Sequence, residues 1–415
     1  MYLDEILAAQ KRGEVRGIPS VCSAHPYVLK QTLRTFERPL IEATCNQVNQ
    51  FGGYTGMTPQ DFARFVQGIA GEIGFPFENI ILGGDHLGPS VWQNEPAEIA
   101  MRKAEALIHD YVKAGFVKIH LDCSMRLADD PQGALDVAIS AERAARLARI
   151  AEKAGNANLR YVIGSEVPVP GGAINEGKCV RVTKVEDAQQ TIEITRQAFY
   201  QAGLHSAWER VIAIVVQPGV EFGDDFVLPY QPEVAKDLSL YIETQPFVYE
   251  AHSTDYQTPL ALRSLVQDHF AILKVGPALT FAFREGVFAL AMMENELFRP
   301  HERSNIISLL DEIMVQKPEH WVKHYHGDEE EIAFKRKYSL SDRIRYYWAE
   351  PMIQHAFRKM LRNLTRKPIP AVLVKQFAPD LFFLTTVMGG LTPENILLAR
   401  VRNTLDGYAQ ACSPG

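Results

Sequence analysis

Eight short β-rich apolar runs, each followed by a longer stretch of helical periodicity, recur between residue 18 and about residue 300. This alternation limits what the chain can fold into. The runs are IPSVCSA (18–24), PLIEAT (39–44), NIILGGD (79–85), VKIHLD (117–122), LRYVIGSE (159–166), VIAIVVQ (211–217), FVYEAH (247–252) and AILKVG (271–276). Parallel strands need helical crossovers between them, and residues 58–73, 96–114 and 132–154 supply segments of suitable length. Proline at the first turn of the earlier two, and Gly115 and Gly155 just past the ends of the later two, punctuate them as helices. Eight such units predict an α/β chain folded as a (β/α)8 TIM barrel rather than an open doubly wound sheet. The strand signal ends near residue 300, which divides the chain into a barrel (1–300) and a helical C-terminal extension (301–415) packed on it.

A formal charge of −7 leaves no basic excess for phosphodiester backbones, so nucleic acid is not an expected partner. The Lys335-Arg336-Lys337 run and the 358–367 stretch read as solvated helix faces, and the acidic run at 327–331 as an exposed loop. The first residues, MYLDEILAAQKRG, form an acidic amphipathic segment without a signal-peptide core, and no later run has the length of a membrane span. A cytoplasmic protein that avoids membranes and associates with copies of itself is expected. The five cysteines (Cys22, Cys45, Cys123, Cys179 and Cys412) show no paired spacing and read as free buried thiols.

Barrel enzymes carry their reactive groups on the loops after the strands. The ends of the eight runs offer Ser23 and His25; Glu42, Thr44 and Asn46; Asp85 and His86; Asp122 and Ser124; Glu166; Gln217 and Glu221; His252 and Asp255; and Lys274. Each alone has an ordinary explanation as a cap or a satisfied structural group. Together, His86, Glu166 and His252 set two imidazoles and a carboxylate on separate strands, a combination that suits a divalent metal with positions open for substrate, and Gln217 offers a further neutral oxygen. His120 lies two residues before Asp122, on the same side of the strand but one layer deeper, and reads as a core or supporting residue. His320, His324 and His326 are a weaker metal alternative. Gly53, in the GGYTG stretch, either brings backbone amides to a hydroxyl or phosphate or simply turns the chain, and Gly83-Gly84 allow close backbone approach before Asp85. No nucleotide-binding glycine loop with a G-x-G-x-x-G or G-x-x-x-x-G-K-[ST] pattern stands at a strand-to-helix turn.

On these residues the chain resembles the GatZ/KbaZ family, the Z subunits associated with tagatose-1,6-bisphosphate aldolase, and more distantly the class II metal-dependent aldolases. The segments that carry the resemblance are NQFGGYTGMTP (49–59), LGGDHLGPSVWQ (82–93), GFVKIHLDCSM (115–125), GSEVPVPGG (164–172), VYEAHSTDYQT (248–258), KVGPALTFAFREG (274–286) and SDRIRYYW (341–348). It implies that Asp85-His86 matches an Asp directly before a metal-binding His. Asp122 then matches an acid after strand four, Glu166 a strand-five carboxylate, and His252 a strand-seven ligand. Two departures stand out. Gln217 replaces a further His, and His252-Ser253-Thr254-Asp255 replaces a Gly-Gly-Ser-Gly phosphate cradle with a sequence whose acid repels phosphate.

The activity so implied is metal-dependent C4 epimerisation of a ketohexose or its 6-phosphate, between the tagatose and fructose configurations, by reversible cleavage of C3–C4. The expected catalytic groups are Asp85, Asp122 and Glu166. The expected ligands of a divalent ion, zinc above others, are His86, Glu166, Gln217 and His252. Substrate contacts are expected from Ser23, Asn46, Gly53, Ser124, Asp255 and Lys274, and from Arg345 in the extension, where Arg343 and Tyr347 either pack or reach the barrel mouth. The alternative implied by the same resemblance is a non-catalytic partner that stabilises a class II aldolase subunit.

Overall fold

The computed structural model describes residues 1–155, 157–165, 180–388 and 391–414. All eight expected strands form: β1 (Ile18–Cys22), β2 (Leu40–Thr44), β3 (Ile81–Leu87), β4 (Lys118–Leu121), β5 (Arg160–Gly164), β6 (Val211–Val215), β7 (Val248–Ala251) and β8 (Phe270–Val275). They pair in parallel in chain order, and β1 closes on β8 with Ile18 opposite Ile272 and Val21 opposite Val275. The result is a closed (β/α)8 barrel. A short antiparallel hairpin, Glu221–Phe222 with Val227–Leu228, is inserted between β6 and β7.

The crossover helices follow the punctuation of the sequence. Helix Pro59–Ile73 starts at Thr58, whose side chain accepts the Asp61 amide while Asp61 answers in a capping box, and it ends at a left-handed Gly74. Helix Val137–Ala154 is capped by Asp136 and ends at the left-handed Gly155. Cys22, Cys45, Cys123 and Cys412 are free and buried, whereas Cys179 lies outside the described residues. Among the described residues, no helix is long and apolar enough to cross a membrane.

The barrel interior changes character along its axis. At the strand starts Ile18, Leu40, Ile81, Val248 and Ile272 form an apolar plug with Leu3 and Ile6 of the N-terminal helix Tyr2–Lys11, which covers that end. Above the plug the inward positions turn polar and charged, with Ser20, Glu42, Lys118 and Glu250 all fully buried. The charged layers therefore lie on the mouth side of the apolar plug, and the loops after the strands reach the uppermost of them.

Residues beyond 300 are helical and fold back onto the barrel. The last helix, Pro393–Cys412, lies against β1 and against the helices Pro26–Thr35, Pro259–Gln267 and Pro277–Leu297. It thus takes a place in the outer ring between the helix after β1 and the helix after β7. Tyr408 donates to the Thr254 carbonyl at 2.8 Å, and Arg263 donates to the carbonyls of Ala411 and Ser413.

The acidic run at 327–331 is not the loop expected from its charge. Asp328 caps helix Glu329–Tyr338 through a capping box with Glu331, acids fill its first turn and Lys335, Arg336 and Lys337 its last, so both ends complement the helix dipole. Nor is the basic run wholly solvated: Arg336 is buried, pairing with Asp311 at 2.7 Å beside the Trp321 ring.

If Pro393–Cys412 belongs to the cooperative core, then Leu405→Ala, at a position with no exposed surface, should cost about 2–5 kcal/mol. Urea denaturation should show a lower midpoint for the whole barrel, and an unchanged midpoint would make the helix an independent appendage.

Candidate active site

The deepest charged layer is built around Lys118 of β4. Its ammonium lies 2.6 Å from Glu42 of β2 and 2.8 Å from Glu250 of β7, with none of the three side chains exposed. Ser20 of β1 donates to the other Glu42 oxygen. Gly83 of β3 leaves the room for this carboxylate, since a Cβ there would stand 2.4 Å from Glu42 Oε1. The expected close backbone approach at Gly83 thus serves the buried acid. Burial opposes charge on all three ionisable groups. At Lys118 the two carboxylates win and raise the ammonium pKa, at Glu250 Lys118 and His252 bring the carboxyl down to about 2, and at Glu42 burial prevails and raises it.

One layer nearer the mouth, Asp85 of β3 is enclosed by three side chains. His120 Nδ1 lies 2.8 Å from Asp85 Oδ1, His252 Nε2 lies 3.8 Å from the same oxygen, and Lys274 of β8 forms an ion pair with the other. His252 Nε2 is also 3.0 Å from Glu250 Oε1. Burial alone would raise the Asp85 pKa, but His86, Lys274 and His252, with the His120 hydrogen bond, hold it well below the ordinary carboxylate range. Burial, reinforced by Lys274, pushes His252 down to about 3, whereas Asp85 outweighs burial at His120 and raises it.

This geometry can hold a metal ion. Asp85, His120, Glu250 and His252 each offer one ligand atom, all within 4.8 Å of one another. His120 Nε2 donates to the Gly164 carbonyl at 2.9 Å, which fixes the tautomer as it does for many metal-bound imidazoles. Its Nδ1, which accepts the His86 amide at 3.2 Å, then faces Asp85 Oδ1 at 2.8 Å, and a lone pair held that close to a carboxylate oxygen favours a positive charge beside them. Counting Asp122, four carboxyl groups share two ammonium groups in these layers, which leaves negative charge for protons or a cation to offset. Two imidazoles and two carboxylates are a donor set suited to a divalent ion.

At the mouth, His86 Nδ1 lies 2.7 Å from Asp122 Oδ2, and Ser124 donates to Asp122 Oδ1 at 2.7 Å. Burial opposes the charge on Asp122, but these partners hold it below the ordinary carboxylate range. His86 has a left-handed φ of 46°, a conformation that costs a non-glycine residue about 1 kcal/mol or more and turns the backbone at the end of β3. Its side chain is 17% exposed, that of Lys274 13%, and that of Asp85 has no exposed surface.

A cavity of about 750 Å³ opens above this floor. Ser23, Asn46, His86, Asp122, Ser124, Asp255, Lys274 and Arg345 all line it, so it gathers most of the residues singled out in the sequence. Two expected participants stand elsewhere. Gly53 is not among the lining residues; it makes a tight left-handed turn in which a Cβ would meet the Gln47 carbonyl at 2.4 Å. Gln217 spends its side-chain oxygen on the Gly219 and Val220 amides at 2.8 and 3.1 Å, so the neutral ligand expected from it is turned into a loop. Glu166 lies outside the described residues.

Lys118 and Glu250 carry no expected role in the sequence because both sit inside apolar runs. The signal was present: Glu250 lies two residues before the strand-end His252 and Lys118 four before the strand-end Asp122, and a period of two puts both on the inward face. The same step identified His120 as an inner residue.

Comparison with known proteins places this geometry in a family context. Residues 3–413 match the D-tagatose-1,6-bisphosphate aldolase subunit GatZ/KbaZ-like family. D-tagatose-1,6-bisphosphate aldolase subunits GatZ from Salmonella typhimurium and Klebsiella pneumoniae are each 52% identical to this chain over 99% of it and 99% of their own length. The crystal structure of a probable tagatose 6 phosphate kinase from Sinorhizobium meliloti shares 46% identity, with a TM-score of 0.89 over 96% of this chain and 100% of that one.

Two measurements probe the buried layers. After loading with zinc and exhaustive dialysis, elemental analysis should find one ion per chain, lost from His252→Ala and Glu250→Gln but kept by Gln217→Ala. The opposite pattern would restore the ligand set read from the sequence. Lys118→Met, which leaves two buried acids without their cation, should lower stability by about 3–5 kcal/mol in chemical denaturation at pH 7.

Proposed function

We propose that this chain, which belongs to the D-tagatose-1,6-bisphosphate aldolase subunit GatZ/KbaZ-like family, serves as the Z-type subunit beside a class II aldolase. We also propose that its own barrel mouth acts on a ketohexose or ketohexose phosphate. The subunit reading is carried by the 52% identity, over 99% of both chains, to proteins bearing that name.

The second part, C4 epimerisation, is favoured by one observation: the His86–Asp122 pair stands on the floor of a cavity directly above a buried ionic cluster. The C4 hydrogen of a 2-ketose is not acidic, so inversion there is most economical by breaking and remaking C3–C4. Asp122 accepts the Nδ1 proton of His86, which leaves Nε2 as a base for the C4 hydroxyl. As that proton leaves, the C3–C4 electron pair moves toward the C2 carbonyl, giving a three-carbon enediolate and an aldehyde. Rotation of the aldehyde presents its other face, the bond re-forms, and His86 returns the proton to the C4 oxygen. Lys274 can donate a hydrogen bond to a substrate oxygen during both steps.

In this reading Asp85 and His86 exchange the roles expected from the sequence. Asp85 is buried and committed to His120 and Lys274, whereas His86 is accessible and paired with an acid. A divalent ion held by Asp85, His120, Glu250 and His252, for which zinc is a suitable choice, would supply positive charge for the oxygen anion that develops on C2.

The test is to incubate the purified, zinc-loaded chain with D-tagatose, D-fructose and their 6-phosphates and to separate the products by chromatography. The expected outcome is interconversion that stops with a chelator and falls about 10²- to 10⁴-fold in His86→Ala. In parallel, the chain should raise the activity or lifetime of an added class II aldolase subunit on D-tagatose 1,6-bisphosphate. Stimulation without interconversion leaves the subunit role alone, and interconversion without stimulation removes it.

A further inference from the structure

The cavity is not electrically uniform. Asp255, on the loop after β7, accepts the Gly276 and Ala278 amides at 3.0 and 2.8 Å through Oδ1. These donors open helix Pro277–Leu297, and such a helix start in a barrel mouth is an ordinary place for a phosphate. Here a carboxylate of the chain itself fills it, and an anionic substrate group is turned away from that corner.

The extension brings positive charge to the same cavity. Its lining includes three fixed cations, Lys274, Arg343 and Arg345, and Lys274 is already paired with Asp85. The two arginines belong to the short turn Arg343–Tyr346, and among the described residues their hydrogen bonds go only to neutral acceptors. Arg343 Nη1 donates to the His320 carbonyl at 2.7 Å, and Arg345 donates to the carbonyls of Ser341 and Asp342 and, at 3.0 Å, to the Tyr346 hydroxyl. Arg343 Nε is buried without a partner. The adjacent acid, Asp342, is taken by Arg284 at 2.9 Å and Thr280 at 2.6 Å.

The arginines are also held in place. Arg345 lies 4.5 Å over the Tyr346 ring, which packs edge-on against Tyr54 at 4.6 Å. Guanidinium groups partly withdrawn from water with no carboxylate in hydrogen-bond reach are costly, and their planar forks match phosphate oxygens better than any neutral group does.

We infer that Arg343 and Arg345 form an anion subsite of the cavity and receive the phosphoryl group of a phosphorylated ketose. The inference rests on the reading of the cavity as a ketohexose site and specifies which ketoses it prefers. It also gives the extension a function: the barrel supplies the reacting groups, and residues beyond 300 supply the discrimination between sugar phosphate and free sugar.

Isothermal titration calorimetry on the full-length chain tests this, with D-fructose 6-phosphate, D-fructose and inorganic phosphate as probes. The phosphate ester should bind at least tenfold tighter than D-fructose, inorganic phosphate should compete with it, and the preference should shrink as salt rises. Arg343→Gln should remove most of the preference while leaving D-fructose affinity unchanged, and Arg343→Lys should restore part of it. Arg345 stays untouched in this design because it also braces the Ser341 and Asp342 carbonyls. Equal affinity for ester and free sugar in the wild type, or equal losses for both in Arg343→Gln, would overturn the inference. Binding of inorganic phosphate that depends on Arg343, with neither sugar bound, would uphold the anion subsite and sink the ketose reading instead.

Discussion

The ion triad of Glu42, Lys118 and Glu250 is the constraint on which the rest of the site depends. A barrel interior is ordinarily filled by branched apolar side chains, and this one is so filled only at the strand starts. Once Lys118 is buried, two acids must follow it inward, a hydroxyl must satisfy Glu42, and a glycine must stand where the Glu42 carboxylate needs space. Glu250 then presents an oxygen to His252, and His252 and Asp85 continue the chain of charge toward the mouth. Each layer fixes the orientation of the next, so the groups that reach the cavity rest on a nearly solvent-free ionic scaffold.

Above that scaffold the division of labour follows exposure. Asp85 is the stronger electrostatic centre but has no access to solvent, while His86 and Lys274 combine partial exposure with buried partners. A group that exchanges protons with substrate must be reached by it, and a group that sets the field need not be. The strained backbone of His86 fits the same picture, because the end of β3 must turn sharply to present the imidazole to the cavity while Asp85, its neighbour, stays in the barrel.

Much of this arrangement was legible in the sequence, and what was not has specific causes. Eight strands could be read because parallel strands in a barrel are short, apolar and separated by well-capped helices. The residues lining the mouth could be read because strand ends in such a barrel converge on one face. Depth was harder: Lys118 and Glu250 look like isolated charges within apolar runs until the period of two is applied to them as it was to His120. Gln217 shows a different limit, since the direction of a strand-end side chain depends on which loop amides lie nearby, and here Gly219 and Val220 capture its oxygen. The acidic run before residue 332 resembles a loop by charge density alone, whereas Asp328 and Glu331 at a spacing of three specify a helix start.

The interior charges also bear on the choice between scaffold and catalyst. A buried ion pair seldom adds net stability over well-packed apolar side chains of similar volume, because desolvation offsets most of the Coulomb attraction. A chain whose only task was to support a partner would be at least as well served by an apolar barrel centre. This one holds Glu42, Lys118, Glu250 and Asp85 with no exposed surface and links them to a histidine, an acid and a lysine that face an open cavity. The cost is intelligible if the field is used at the mouth, and the two arginines that the extension leaves without acidic partners point the same way. The proposed support of an aldolase subunit and the proposed chemistry do not exclude each other, since the chemistry would use the interior of the barrel and would leave its outer surface to a partner.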